Sequence, residues 1–123
     1  VDTIPAGVYR YIWEHHRLDR IISGDKRQEL MNESRGQYSA LSAPVILVIT
    51  AHYEQTVSRY GERGEQRYVP IDVGACGQTI YLQAEALGLG TVILGSFTDE
   101  AVKNILGVDD ETPLCIMPVG KKR

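Results

Sequence analysis

Few side chains in this 123-residue sequence have the makings of a catalyst. Of three histidines, His15 and His16 are adjacent and His52 stands alone. None has the spacing that lets two imidazoles grip one metal ion, so all three read as solvated surface groups and no metal site is expected. The cysteines, Cys76 and Cys115, fall in different elements without the close spacing of a metal or redox pair. Both read as inert core residues, because a reactive thiol needs an electropositive, accessible setting. Unpaired thiols fit a reducing, cytoplasmic compartment. Glu62 and Arg63, between Gly61 and Gly64, read as an exposed ion pair in a loop, with a substrate-side lid as the alternative. Gln78 lies mid-helix among apolar neighbours, where an amide needs partners. Lys121, Lys122 and Arg123 form a basic run that either grips a phosphate through charge-assisted hydrogen bonds or stays solvated. The stretch Leu94-Gly95-Ser96 is either a plain strand-to-helix turn or a place where backbone comes close to a ligand, which glycine permits.

These residues need elements to hold them. Val8 to Trp13 is rich in aromatic and β-branched types and Leu18 to Ile22 follows a polar stretch, which predicts a β-hairpin closed by Ser23 and Gly24. The alternating Tyr9, Tyr11 and Trp13 read as packing or interface groups. Asp25 caps a predicted helix through Gln28 to Met31, and a second short helix is expected around Tyr38 to Ser42, before Pro44. Val45 to Ile49 is uninterruptedly apolar, as a strand covered on both faces is, and is placed at the centre of the sheet. Thr56 to Gln66 is polar and reads as a loop or frayed helix end.

A long helix is predicted from Val69 or Asp72 to Leu87, stopped by Gly88. Val73, Cys76, Gly77, Ile80, Ala84 and Leu87 line one side of it. The opposite side carries Gly74, Gln78, Tyr81, Leu82 and Glu85, so the helix is expected to pack on two sides, the second against another subunit. Thr91 to Leu94 reads as a buried strand. Thr98 then caps a helix with Asp99 and Glu100 in its first turn, Val102, Ile105 and Leu106 inside, and Gly107 at its end. Leu114 to Val119 is the last predicted strand, with the basic residues as a tail.

The totals set bounds. A chain of this length with 43% hydrophobic residues supports one core, hence one domain or part of one across residues 1–123. Lys and Arg number 13 against 16 Asp and Glu, leaving no basic surface for a run of phosphates, so nucleic acid is not an expected partner. The longest apolar run is strand length and falls far short of the roughly 20 residues of a membrane helix, so no membrane partner is expected. Gly88-Leu89-Gly90 precedes a strand and Ile93 stands where a third glycine would be needed, which disfavours a dinucleotide-binding fingerprint. There is no phosphate loop with Gly-Lys-Ser or Gly-Lys-Thr, which removes kinase and ATPase readings.

Strand and helix order alone gives no function. Three stretches narrow it. Gly7-Val8-Tyr9-Arg10-Tyr11, with Leu18 after the turn, resembles the opening hairpin of SagB-type members of the nitroreductase family. Tyr60-Gly61-Glu62-Arg63-Gly64, Arg67-Tyr68, Asp72, Gly74, Gln78 and Ala86-Leu87-Gly88-Leu89-Gly90-Thr91 are similar to that family's central helix and its approach. Leu94-Gly95-Ser96-Phe97 and Pro118-Val119-Gly120 resemble its flavin-edge loop and final strand.

This resemblance implies an α+β fold, a mixed central sheet flanked by helices, of which these residues form the C-terminal portion. It implies FMN as cofactor, held by Leu94, Gly95, Ser96, Lys121, Lys122 and Arg123, and an intertwined homodimer with the flavin between subunits. The expected activity moves electrons between reduced flavin and a small-molecule or peptide substrate, with NAD(P)H as a candidate donor. The family's arginine- and serine-rich phosphate motif and its Pro-Ser segment are expected before Val1. The competing expectation is a flavin-free remnant that serves as a dimerisation or protein-binding module.

Overall fold

Residues 3–35 and 41–122 are described by a computed structural model. The aromatic and β-branched opening pairs as predicted: β1 (Gly7–Ile12) runs antiparallel to β2 (Arg17–Ser23), from Gly7 opposite Ser23 to Ile12 opposite Arg17. A single 3-10 turn, Trp13–His15, reverses the chain, and His16 takes the left-handed conformation at φ 47°. There His16 Nδ1 lies 2.9 Å from the Tyr11 hydroxyl. Asp25 then starts α1 (Arg27–Glu33): its carboxylate accepts the Arg27 backbone N–H at 3.0 Å and the Arg27 guanidinium besides. That guanidinium, the main cause, lowers the Asp25 carboxyl to about 2. The predicted helix at Tyr38 to Ser42 lies largely outside the described residues.

The main sheet has three described strands, β3 (Val45–Ala51), β4 (Leu89–Thr91) and β5 (Thr112–Lys121), in the order β3-β5-β4 with every pairing antiparallel. The expectation that Val45 to Ile49 forms the centre is corrected. Among the described residues β3 is an edge strand, half-buried over most of its length, and the central position belongs to β5. Between the hairpin, α1 and the outer side of β3 lies a cleft of about 740 Å³ lined by groups such as Val8, Leu30, Val45, Leu47 and Ile49. The apolar run of β3 is thus explained by a surface that the described residues leave open.

Thr56 to Gln66 is helical, a second correction. α2 spans Tyr53–Tyr60, Gly61 turns at φ 58°, and the chain re-enters a helix whose Gly64–Tyr68 stretch is π-type and runs directly into α3 (Val69–Ala86). Polar composition concealed this, because the stabilising contacts are local side-chain pairs. Tyr60 and Tyr68 meet edge to face at 5.0 Å, Arg59 lies over Tyr60, and the Gln66 amide donates to Glu62 at 2.6 Å. Glu62 therefore pairs with Gln66 and not with Arg63.

Both faces of β5 are covered. Ile116 packs into one cluster with Leu30, Met31, Leu94, Val102, Leu106 and Val108, supplied by α1, α4 (Asp99–Leu106) and their flanks. Met117, the next residue, points the other way, toward Gly77 of α3. Gly88 at φ 69° ends α3 and Gly107 at φ 68° ends α4, both as predicted. Thr98 occupies the cap position of α4 without a side-chain cap hydrogen bond. The inward line of α3 is Val69, Gly77 and Ala84, with Val73 and Ile80 half-buried. Cys76 and Leu87, expected on that line, are exposed. Cys76 lies about 100° round the helix from Gly77, and Leu87 is the C-cap just past the last helical residue, so neither sits on the buried stripe.

The hairpin is tied to the sheet through one buried carboxylate. Glu111, 4% exposed, accepts from the Arg10 guanidinium of β1 and from the Thr50 hydroxyl of β3. His52 Nε2 stands 3.3 Å from it. Burial alone would raise the Glu111 carboxyl, but the Thr50 hydroxyl, Arg10 and His52 together hold it below the usual carboxylate range.

Two measurements check this arrangement. Ile116→Ala, at a side chain with no exposure, is expected to lower unfolding free energy by about 3 kcal/mol in urea titration. Because the folded pKa of Glu111 is depressed, its contribution is present above the unfolded carboxylate value of about 4.3 and is lost as pH falls through the folded value. Glu111→Gln is expected to cost about 2 kcal/mol at pH 7. It is also expected to flatten the acid limb of stability against pH, and an unchanged limb would remove Glu111 as its source.

Candidate functional site

The chain leaves β4 at Thr91 and touches β5 again at one point, where Leu94 and Ile116 exchange two backbone hydrogen bonds of 2.9 Å. The predicted strand Thr91 to Leu94 is therefore shifted: the ladder covers Leu89–Thr91 and lapses over Val92 and Ile93. Leu94 is buried and fixed, whereas Gly95 and Ser96 are exposed in the turn that leads to α4. A Cβ built on Gly95 would meet nothing within 4 Å. The turn thus presents backbone beside open space on an anchored residue.

The basic run is not a loose tail. β5 continues to Lys121, which pairs with Leu89. Successive strand residues leave on opposite faces, so Lys121 and Lys122 cannot both reach one ligand on one face. Lys122 is turned toward α3, where its ammonium pairs with Glu85 at 2.5 Å. Lys121 is exposed and has no carboxylate partner among the described residues. Arg123 lies outside the described residues. Five residues of β5 separate the level of Leu94 from Lys121, about 16 Å at a strand's rise. Only an elongated ligand meets both.

On α3, Ile71 and Leu82 are 58% and 64% exposed on one side, with Gly74, Ala75 and Gln78 at the surface beside them. An apolar side of this extent is open to solvent in the single chain. Cys76 is exposed as well, on a different side of the helix that borders Ile49 and Thr50 of β3, so the expectation of an inert core thiol is corrected there. Cys115 is buried, and burial pushes its thiol up. Burial, then Glu65 and Asp99, likewise raises Tyr53.

One cluster escaped sequence reasoning. His52, Asp110 and Glu111 place ligand atoms within 4.8 Å of one another. The 57 residues between His52 and Asp110 hid it, and only the β3–β5 pairing brings them together. Its chemistry is that of an ion-pair network. Both Glu111 oxygens are already engaged, one of them by a guanidinium that opposes a second cation. Among the described residues no helix is long and apolar enough to cross a membrane.

Comparison with known proteins follows the same outline. The nitroreductase family profile matches residues 10–121. A Methanocaldococcus jannaschii protein assigned as a nitroreductase is 44% identical over 119 residues, 97% of this chain and 59% of its own length. A trifolitoxin-processing protein of Rhizobium leguminosarum bv. trifolii is 31% identical over 109 residues, 86% of this chain and 29% of its own. A crystal structure from Anabaena variabilis, assigned to the same activity, superposes with a TM-score of 0.92 at 31% identity, covering all of this chain and 25% of that one. The chain thus spans about three-fifths of the length of the Methanocaldococcus relative and less of the others. With hairpin, long helix, anchored turn and final strand in the expected order across nearly its whole length, the chain belongs to the nitroreductase family.

Proposed function

We propose that this chain is the C-terminal portion of an FMN-dependent oxidoreductase domain, with Leu94, Gly95 and Ser96 against the flavin ring and Lys121 at its phosphate. The observation that carries the reading is the anchored turn with open space beside Gly95. Family membership supports flavin as the cofactor. When bound, FMN supplies electron transfer at its ring. The residues of this chain bind and orient: the turn offers main-chain groups at the ring edge, and Lys121 offers a charge-assisted bond to phosphate. Lys122, held by Glu85, has the weaker claim, and Arg123 stays in the proposal on resemblance alone.

The apolar cleft beside β3 supports the reading of residues 1–123 as part of a larger domain, whose preceding portion fills the cleft and supplies the arginine- and serine-rich phosphate motif. The solvent-open apolar side of α3 supports a homodimer with the flavin at its interface. The SagB-type resemblance and the similarity to a trifolitoxin-processing protein favour a peptide over a small molecule as substrate. NAD(P)H remains the proposed donor where the substrate is reduced. Two free thiols, one of them exposed, support a reducing, cytoplasmic setting.

Purified full-length protein is expected to be yellow and to release a phosphate-bearing flavin on denaturation. A colourless dimer that takes up no added FMN would establish the flavin-free binding module instead. Lys121→Ala is expected to weaken FMN affinity about ten-fold, the worth of one charge-assisted bond, while leaving riboflavin affinity unchanged. Leu82→Glu, which places a charge on the open side of α3, is expected to shift the protein to monomer in analytical ultracentrifugation.

A further inference from the structure

We infer that Tyr81 is a positioning residue for the Leu94–Ser96 turn, gripping the backbone just ahead of it at the place where Pro118 denies the sheet a donor. The pairing partners fix this. Leu89, Gly90 and Thr91 face Lys121, Gly120 and Val119, and Leu94 faces Ile116 in the same unbroken register. Val92 would therefore face Pro118. Leu94 and Ile116 form a hydrogen-bonded pair, and such pairs alternate along an antiparallel ladder, so Val92 with Pro118 would be the next. Proline has no N–H to give. The ladder lapses there, and the segment leading into the turn loses the tether that a regular strand would have.

α3 supplies a replacement. The Ile93 N–H donates to the Tyr81 hydroxyl at 2.7 Å. Four residues earlier on the same helix, Gly77 makes room for the Ile93 side chain: a Cβ there would stand 3.0 Å from Ile93 Cδ1. Side chain and backbone of one residue are thus both seated on α3, and the next residue is the buried Leu94. Where Gly95 and Ser96 present their backbone depends on this seat. The consequence for flavin rests on the function proposed above, whereas the tether itself does not.

Amide hydrogen exchange on the full-length protein tests the inference. Tyr81→Phe keeps the ring and removes the acceptor, and is expected to speed exchange of the Leu94 amide, which is bonded to Ile116 at the start of the turn, about five-fold, the worth of one hydrogen bond. Adding Pro118→Ala restores the missing donor and is expected to return the Leu94 amide to within about two-fold of wild type. In protein loaded with FMN, Tyr81→Phe is also expected to weaken FMN about five-fold and to shift the potential of the bound flavin, because donors at the ring edge have moved. Wild-type exchange at Leu94 in Tyr81→Phe overturns the inference, as does loosening that Pro118→Ala fails to relieve. If wild-type protein takes up no FMN, the flavin reading falls and the exchange arm alone decides the role of Tyr81.

Discussion

The described fold depends on one strand hydrogen-bonded along both edges. β5 receives β3 on one side and β4 on the other, and buries Cys115, Ile116, Met117 and Pro118 in succession. Consecutive burial means that both faces are covered, by α1 and α4 over Ile116 and by α3 over Met117. Each such aliphatic side chain contributes about 2 kcal/mol through area removed from water. The hairpin, which makes no ladder contact with this sheet, joins through Glu111, the residue immediately before β5. Anything that displaces β5 displaces the hairpin, the turn at Gly95 and the seat of α3 at once.

The sequence made helices and hairpin legible because their signals are local. Gly88 and Gly107 ended helices where only a left-handed residue ends them, and the Tyr9 to Ile12 run could scarcely be other than a strand. What escaped, besides the helical course of Thr56 to Gln66, were properties of pairing. Val45 to Ile49 has the composition of a central strand, yet composition reports what covers a strand's faces and says nothing of who bonds its edges. Lys121 belongs to β5 because Leu89 lies opposite, a fact 32 residues away in sequence.

The candidate site was partly legible for the same reason. Leu94, Gly95 and Ser96 are contiguous, so a motif displays them together, and the anchoring of Leu94 agrees with their use as a fixed edge. The three basic residues are contiguous too, but strand geometry separates what adjacency suggests: one lysine faces Glu85 and its neighbour the opposite side. The ion-pair network at Glu111 had no signal at all, since its members come from β1, β3 and the turn before β5.

The widened stretch Gly64–Tyr68 carries a consequence for where this chain can change length. It sits between two fixed points, Gly64 with its Cβ position 3.0 Å from the Thr56 carbonyl and the α3 line at Val69 and Gly77. A π-type turn holds one residue more than an α-turn over the same span. Loss of one residue there leaves an ordinary helix with both anchors still in phase. The same deletion between Val69 and Gly77 would rotate everything beyond it by about 100°, putting Gln78 in the place of Gly77 against Met117. Room for a deletion is thus concentrated in the four residues from Glu65 to Tyr68, between the two anchors.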